Sequence, residues 1–340
     1  MLVWTLTPLL LPLRYTWKIA RNASDSKTNL VVHVVDESGQ FEGRGEAAPN
    51  VRYDESTERL TREFAHLLTA GLSDVDSLSE LDALLAAHPP AHALRFALEA
   101  AYLHREASRL RQTVPQLLGV PAPATRVPTA FSLPIMEPGA VAGFVREQDM
   151  ARFPLLKIKV NQESGYDLLR EVTRAAPNHL LLIDGNEAWP DADALLRFLE
   201  KIGQLPHLRV RLLEQPLPAT HTADYEYLRP LSPYPLFADE SVTDAADFEG
   251  IARQFHGVNM KLMKAGGYHN GLRLLAQTRA HGLQTMLGCM VETSLGIWSA
   301  LQLSALADVC DLDGFLILRH EPFGLVREEA GQLEMVDGEW

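Results

Sequence analysis

Cysteine is scarce in this 340-residue chain, with Cys289 and Cys310 the two present. Neither sits in a CxxC or zinc-type cluster. A disulfide framework is therefore not expected, and a reducing, cytoplasmic setting is. Basic residues are in deficit too, 31 against 44 acidic ones, for a net charge of −13. That argues against non-specific nucleic-acid binding, which needs a basic face. No uninterrupted apolar run approaches the length of a membrane span. The apolar start MLVWTLTPLLLPLRYTW has no basic residue before Arg14, and Pro8 and Pro12 interrupt it. An N-terminal strand is expected there rather than a secretory leader. A Gly-rich phosphate loop is missing, since Gly266–Gly267 reads as a turn after a strand. No low-complexity linker divides the chain, so its two parts should share a broad interface.

What is present is enough for a sizeable core, with 46% apolar and 22% charged residues, the latter well mixed. Val3–Leu13 and Thr16–Ala20 read as strands, and Asn29–Val35 alternates enough for another. Glu37–Gln40 gives a turn, and Phe41–Ala47 can pair back as a hairpin. Between the strands Arg21–Thr28 is polar and without periodicity, which predicts a mobile loop; a second loop is expected at Ala48–Ser56. Leu60, Phe64, Leu67 and Leu68 share a helical face, as do Leu78, Leu81, Leu84 and Leu85, and then Leu94, Ala97, Leu98 and Ala101. Residues 1–120 are thus expected to form an α+β domain.

From Val127 strands and helices alternate. Val127–Leu133 is the expected first strand of a β/α barrel covering residues 121–315, and the tail 316–340 is expected to pack back on the N-terminal domain. Five apolar runs then end in charge, at Lys159, Asp184, Glu214, Asp239 and Lys261, with spacings of 25, 30, 25 and 22 residues. One strand, one helix and two loops need about that much chain. A charge closing each buried parallel strand is the pattern of the C-terminal rim of a barrel.

Asp184, Glu214 and Asp239 end three successive strands, which lie side by side in a barrel. Three oxygens without His or Cys partners suit a hard cation, Mg²⁺ above all. Any one of them alone reads as a helix cap or a lysine partner. Lys157 and Lys159 point to one face of their strand. Lys261 ends the strand on the other side of the acidic cluster, and Lys264 reads as a surface or cap charge. A buried lysine beside other cations has a lowered pKa and can act as a base. By analogy with known sites that pair a lysine base with Mg²⁺, two lysines across a metal suggest that one removes a proton next to a metal-bound carboxylate and the other returns one from the opposite face, inverting the carbon through an enediolate.

The motifs KIKV (Lys157–Val160), IDGNEAW, LLEQPLP, ADES, NMKLMKAGG and MLGCMVETS resemble the muconate-lactonising subgroup of the enolase superfamily, and within it the dipeptide epimerases. The resemblance extends more weakly to RGEAAP and RYDES in the N-terminal part. It implies a modified TIM-type barrel with an α+β capping domain. It implies Asp184, Glu214 and Asp239 as Mg²⁺ ligands, Lys159 and Lys261 as the acid/base pair, and Lys157 at the substrate carboxylate. Asp311 and Asp313, in CDLDG, match the DxD that holds a dipeptide's ammonium group. A dipeptide substrate and a homo-oligomeric assembly are expected. Arg21 and Arg52 are the candidates for binding a substrate anion, while Ser24 stands where Glu-selective members carry a second arginine. Gly185 replaces a common alanine, a change expected to leave the metal site untouched. Glu240 is read as a partner for Lys261, and Glu292 as a site-lining group or a cap. The competing readings are a cycloisomerase or o-succinylbenzoate synthase of the same subgroup, and a non-catalytic binding barrel.

Overall fold

A computed structural model describes residues 1–336; the last four positions of the expected tail, 337–340, lie outside the described residues. Three antiparallel strands open the chain: β1 (Leu2–Lys18), β2 (Ala23–Asp36) and β3 (Glu42–Ala47), paired in that order. Alternation along them buries Leu11 and Leu13 of β1 and Leu30, Val32 and Val34 of β2. The two strands expected before residue 20 are one strand, whose register shifts between Pro12 and Trp17. Its prolines are tolerated because β1 is an edge of the sheet.

The segment expected as a mobile loop, Arg21–Thr28, is strand from Ala23 onward, with Trp17 opposite Ser24 and Lys27 opposite Leu11. Ladder bonds to β1 hold it rather than burial, so its side chains stayed polar and aperiodic. Three helices follow, Thr57–Thr69, Leu78–Ala87 and His92–Leu110. Ser56 and Ser77 cap the first two by accepting from Arg59 N and Glu80 N. The third lies so close on β3 that a Cβ on Gly45 would stand 2.0 Å from Ala97 O.

The larger part is an eight-stranded parallel sheet in sequence order: β5 (Ala130–Leu133), β6 (Leu155–Lys159), β7 (Leu180–Asp184), β8 (Arg209–Glu214), β9 (Leu236–Ala238), β10 (Gly257–Met260), β11 (Gln284–Gly288) and β12 (Val309–Asp311). It curls into a nearly closed barrel. Leu312 N donating to Thr129 Oγ1 and Ser132 N donating to Asp313 Oδ2 tie the last strand to the first. Side chains two apart share a face, so most of these strands present an apolar residue below and a polar one above. Ala130, Leu182, Leu212, Phe237, Met286 and Val309 pack together as a small apolar cluster of their own. Two positions further along the same strands stand Ser132, Asp184, Glu214, Asp239, Gly288 and Asp311. The period of two thus raises a charged layer on an apolar one.

Val127–Leu133 is not one barrel strand. Val127–Pro128 forms a separate strand, β4, which pairs with β14 (Gln332–Met335) of the tail hairpin, itself formed with β13 (Val326–Glu329). The hairpin is fixed to the barrel by Arg152 Nη2, 2.9 Å from Glu328 Oε2. The tail meets β1 earlier, where Arg14 N donates to Ile317 O and Arg319 Nε to Leu13 O. So the hairpin packs on the barrel, and the short stretch before it on the N-terminal sheet. Among the described residues no helix is long and apolar enough to cross a membrane.

Candidate active site

The charged layer faces a cavity of about 350 Å³ between the barrel mouth and the N-terminal strands, lined by Lys157, Lys159, Asp239, Lys261, Asp311 and Asp313 among others. Register places the first groups: Lys159 lies opposite Asp184, and Asp184 opposite Glu214. Lys159 Nζ donates to Asp184 Oδ2. Lys157 Nζ, one inward position lower, sits 2.7 Å from Asp311 Oδ2, 2.8 Å from Glu214 Oε2 and 3.1 Å from Asp184 Oδ2. Across the mouth Lys261 Nζ donates to Asp239 Oδ2 at 2.9 Å. All ten residues singled out as site candidates line or border this one region, although Glu214 and Asp184 are reached through Lys157 and Lys159.

Charge governs the ionisation here. Burial lowers the pKa of Lys157, but Asp311, Glu214 and Asp184 outweigh it and hold the ammonium well above its ordinary value. Lys261 behaves alike, burial being overcome chiefly by Asp239. The lowered pKa expected of a lysine among cations is instead found at Lys264, from burial and then Lys261, with Asp239 opposing. Burial and the Asp184 charge push Glu214 up to about 7. Asp184 itself is held low, the Lys159 and Lys157 ammoniums prevailing over burial. Burial and Asp311 raise Asp313 to about 6.

Several assignments change. Lys264 is not a surface charge. It is buried and donates to Asp239 Oδ1 at 2.6 Å, and to the carbonyls of Asp239, Val242 and Asn259. The helix turn after Lys261 swings it beneath Asp239, which spacing alone hid. Glu240 pairs with Arg21 Nη2 at 2.7 Å rather than with Lys261, because its side chain points toward the cap. Arg21 also donates to Asn186 O and Glu187, and Arg52 grips both oxygens of Glu187 at 2.9 and 3.0 Å. Both arginines are thus already engaged by carboxylates. Glu292 is buried and accepts from Met290 N at 2.7 Å. At Gly185 an added Cβ would lie 2.7 Å from Pro216 Cα, so the backbone here packs too closely for a side chain.

Sequence reading missed four supporting side chains. Glu187 and Gln215 stood unread inside IDGNEAW and LLEQPLP. Gln215 Oε1 accepts from Asp239 N at 2.8 Å, fixing one acidic strand end to the next. Asn259 Nδ2 donates to Glu214 Oε1 at 2.8 Å. Glu46, far off in sequence, accepts from Asn29, Thr293 and Gly296 and so joins β3 to the helix after β11. Asn186, Glu187 and Gln215 take φ of 42°, 65° and 32°. Left-handed backbone at non-glycine residues is costly, and here it clusters at the ends of two acidic strands.

The donor set fits a hard cation. Asp184, Glu214 and Asp239 offer oxygens alone, all buried. Glu214 Oε2 has Lys157 nearby but no hydrogen bond directed at it, and Asn186 Oδ1 is also buried without a partner. Among the described residues no three acidic, His or Cys side chains are drawn together as a finished cage, because the lysine ammoniums stand between them.

Residues 140–335 match the model of a family described as enolase C-terminal domain-like. An L-Ala-D/L-amino acid epimerase of Pedosphaera parvula is 33% identical over 329 residues, covering 95% of this chain and 93% of that one. Among solved structures, an enolase family member from Agrobacterium tumefaciens with homology to dipeptide epimerases, with bound sodium and L-Ala-L-Glu, is 30% identical. Its TM-score is 0.87, with coverage of 99% of this chain and 98% of that one. A dipeptide epimerase from Enterococcus faecalis complexed with Mg and L-Leu-L-Tyr is 25% identical with a TM-score of 0.87, covering 98% and 96%.

Proposed function

This chain belongs to the enolase C-terminal domain-like family, and on that premise we propose that it is a Mg²⁺-dependent dipeptide epimerase inverting the α-carbon of the C-terminal residue. The observation that carries the reading is the pair Lys159 and Lys261. They enter one cavity from β6 and from the end of β10, strands separated by the three whose ends carry Asp184, Glu214 and Asp239. The relatives named as epimerases, and the neighbour solved with Mg and a dipeptide, support the same conclusion.

In this reading Asp184, Glu214 and Asp239 hold the cation. A cation there supplies positive charge to the substrate carboxylate and so acidifies the adjacent C–H. Lys159 takes the proton from one face of the α-carbon, which becomes planar, and Lys261 returns one on the other; the reverse direction exchanges their roles. Lys157 lies deep enough to meet the carboxylate. Asp311 and Asp313, with Asp313 held by Ser132 N at 2.6 Å, face the same cavity and take the dipeptide's ammonium group. The elements before residue 120 act as the cap, which excludes water and selects the substrate.

Solvent-deuterium incorporation at the α-carbon is the test. Wild-type protein with Mg²⁺ should exchange both stereoisomers of an accepted dipeptide. Lys159→Ala and Lys261→Ala should each abolish exchange from one stereoisomer, a loss of roughly 10²- to 10⁴-fold. Equal loss from both stereoisomers in both variants would rule out two opposed bases.

A further inference from the structure

Among the described residues, Lys27 is the cavity-lining cation that no carboxylate engages. It stands on β2 two residues before Asn29, in the segment whose sequence reads as a loop but which pairs with β1. Strand alternation puts Lys27 and Asn29 on one face, and both line the cavity, with Trp17, Ile19 and Val291 beside them. Asn29 Nδ2 donates to Val291 O at 3.0 Å, which fixes this stretch of β2 against the loop after β11. Lys27 is half-buried, and its Nζ donates to a neutral partner, Ser24 Oγ at 3.2 Å. Burial lowers its pKa. Among the described residues no carboxylate lies within ion-pair distance of it.

The other cations at the mouth contrast with it. Arg21 is shared between Glu187 and Glu240, and both forks of Arg52 close on Glu187. Lys159 and Lys261 are each held by an acidic strand end. A partly desolvated ammonium with only a hydroxyl partner gains most from a ligand that brings an anion.

We propose that Lys27 is the specificity-determining residue of this site, and that it selects dipeptides carrying a carboxylate side chain. The arginines Arg21 and Arg52 serve instead to close the cap. This rests on the dipeptide-epimerase reading and adds the substrate class to it. The carboxylate can belong to either residue of the dipeptide, and the experiment separates the two.

The experiment measures α-proton exchange in deuterated water for wild type, Lys27→Met, Lys27→Arg and Lys27→Glu, each with Mg²⁺. The panel is L-Ala-L-Glu, L-Glu-L-Ala, L-Ala-L-Gln, L-Ala-L-Leu and L-Ala-L-Lys. Wild type should prefer one acidic dipeptide over its neutral counterparts, and which one identifies the position that Lys27 reads. Lys27→Met should lower kcat/KM for that dipeptide by roughly 10- to 100-fold, mostly through KM, and leave L-Ala-L-Leu unchanged. Lys27→Arg should keep the preference, and Lys27→Glu should transfer it to L-Ala-L-Lys. Unchanged or uniformly lowered kcat/KM across the panel in Lys27→Met would overturn the assignment while leaving the epimerase reading intact. Absence of exchange on every dipeptide by wild type would instead refute that reading, and this inference with it.

Discussion

Lys261 and Lys264 reach different oxygens of the same carboxylate, yet their pKa values move in opposite directions. Lys261 faces the cavity and gains from Asp239. Lys264 is enclosed, with three backbone carbonyls and Lys261 around it. Its geometry is that of a brace, which holds Asp239 in place. Lys264→Met should weaken Mg²⁺ affinity by roughly 10- to 100-fold, the usual cost of losing a group that orients a ligand; calorimetric titration measures it. Burial and then Glu46 push Glu292 up to about 8 from an ordinary 4.5. The folded chain therefore keeps a proton that the unfolded chain releases. Stability from this group is complete below the unfolded value, and it is lost as pH rises through the folded one. Glu292→Gln should lose less thermal stability between about pH 6 and about pH 9 than wild type, a difference on the order of a few kcal/mol. Gly185→Ala would force Pro216 aside and should cost about 1–3 kcal/mol in denaturant titration.

At the scale of elements, packing distance decides more than propensity. The helix His92–Leu110 rests on β3 through Gly43 and Gly45, where added Cβ atoms would meet Ala101 O at 2.1 Å and Ala97 O at 2.0 Å. Backbone cannot yield as a side-chain tip does. Gly45→Ala should therefore destabilise by about 3 kcal/mol or more, read from chemical unfolding. Elements with an apolar signature were legible beforehand: the three helices with their apolar faces, and β6 to β10 with their charged ends. Elements held by ladder bonds alone were not. Ala23–Thr28 shows no alternation because β1 supplies its partners, and Val127–Pro128 could not be told from β5 until the tail hairpin claimed it. The same limit applies at the site. Strand ends could be read from charge, whereas Lys264 and Glu187 depend on the path of the chain just beyond those ends.

Over the whole molecule, several carboxylates fasten the N-terminal part to the barrel, and two of them, Glu46 and Glu187, contrast in burial. Glu46 reaches from β3 to the N-terminus of the helix Ser294–Leu301, accepting from Thr293 N, Thr293 Oγ1 and Gly296 N. Glu187 reaches up from beyond β7 to Arg21 and Arg52. The first contact is buried and the second partly exposed, so the second is the one that can open. Glu187→Gln should raise KM several-fold with little change in kcat, and should speed proteolytic cleavage between residues 48 and 56; steady-state kinetics and limited proteolysis check the two. Beneath that latch the apolar cluster of Ala130, Leu182, Leu212, Phe237, Met286 and Val309 works as a stopper. Hydrogens on the ammoniums above it can trade with bulk solvent in one direction alone. An isotope lifted from substrate is consequently trapped on its lysine for as long as the cap stays down, and the fraction handed back to substrate of unchanged configuration becomes a clock for its opening.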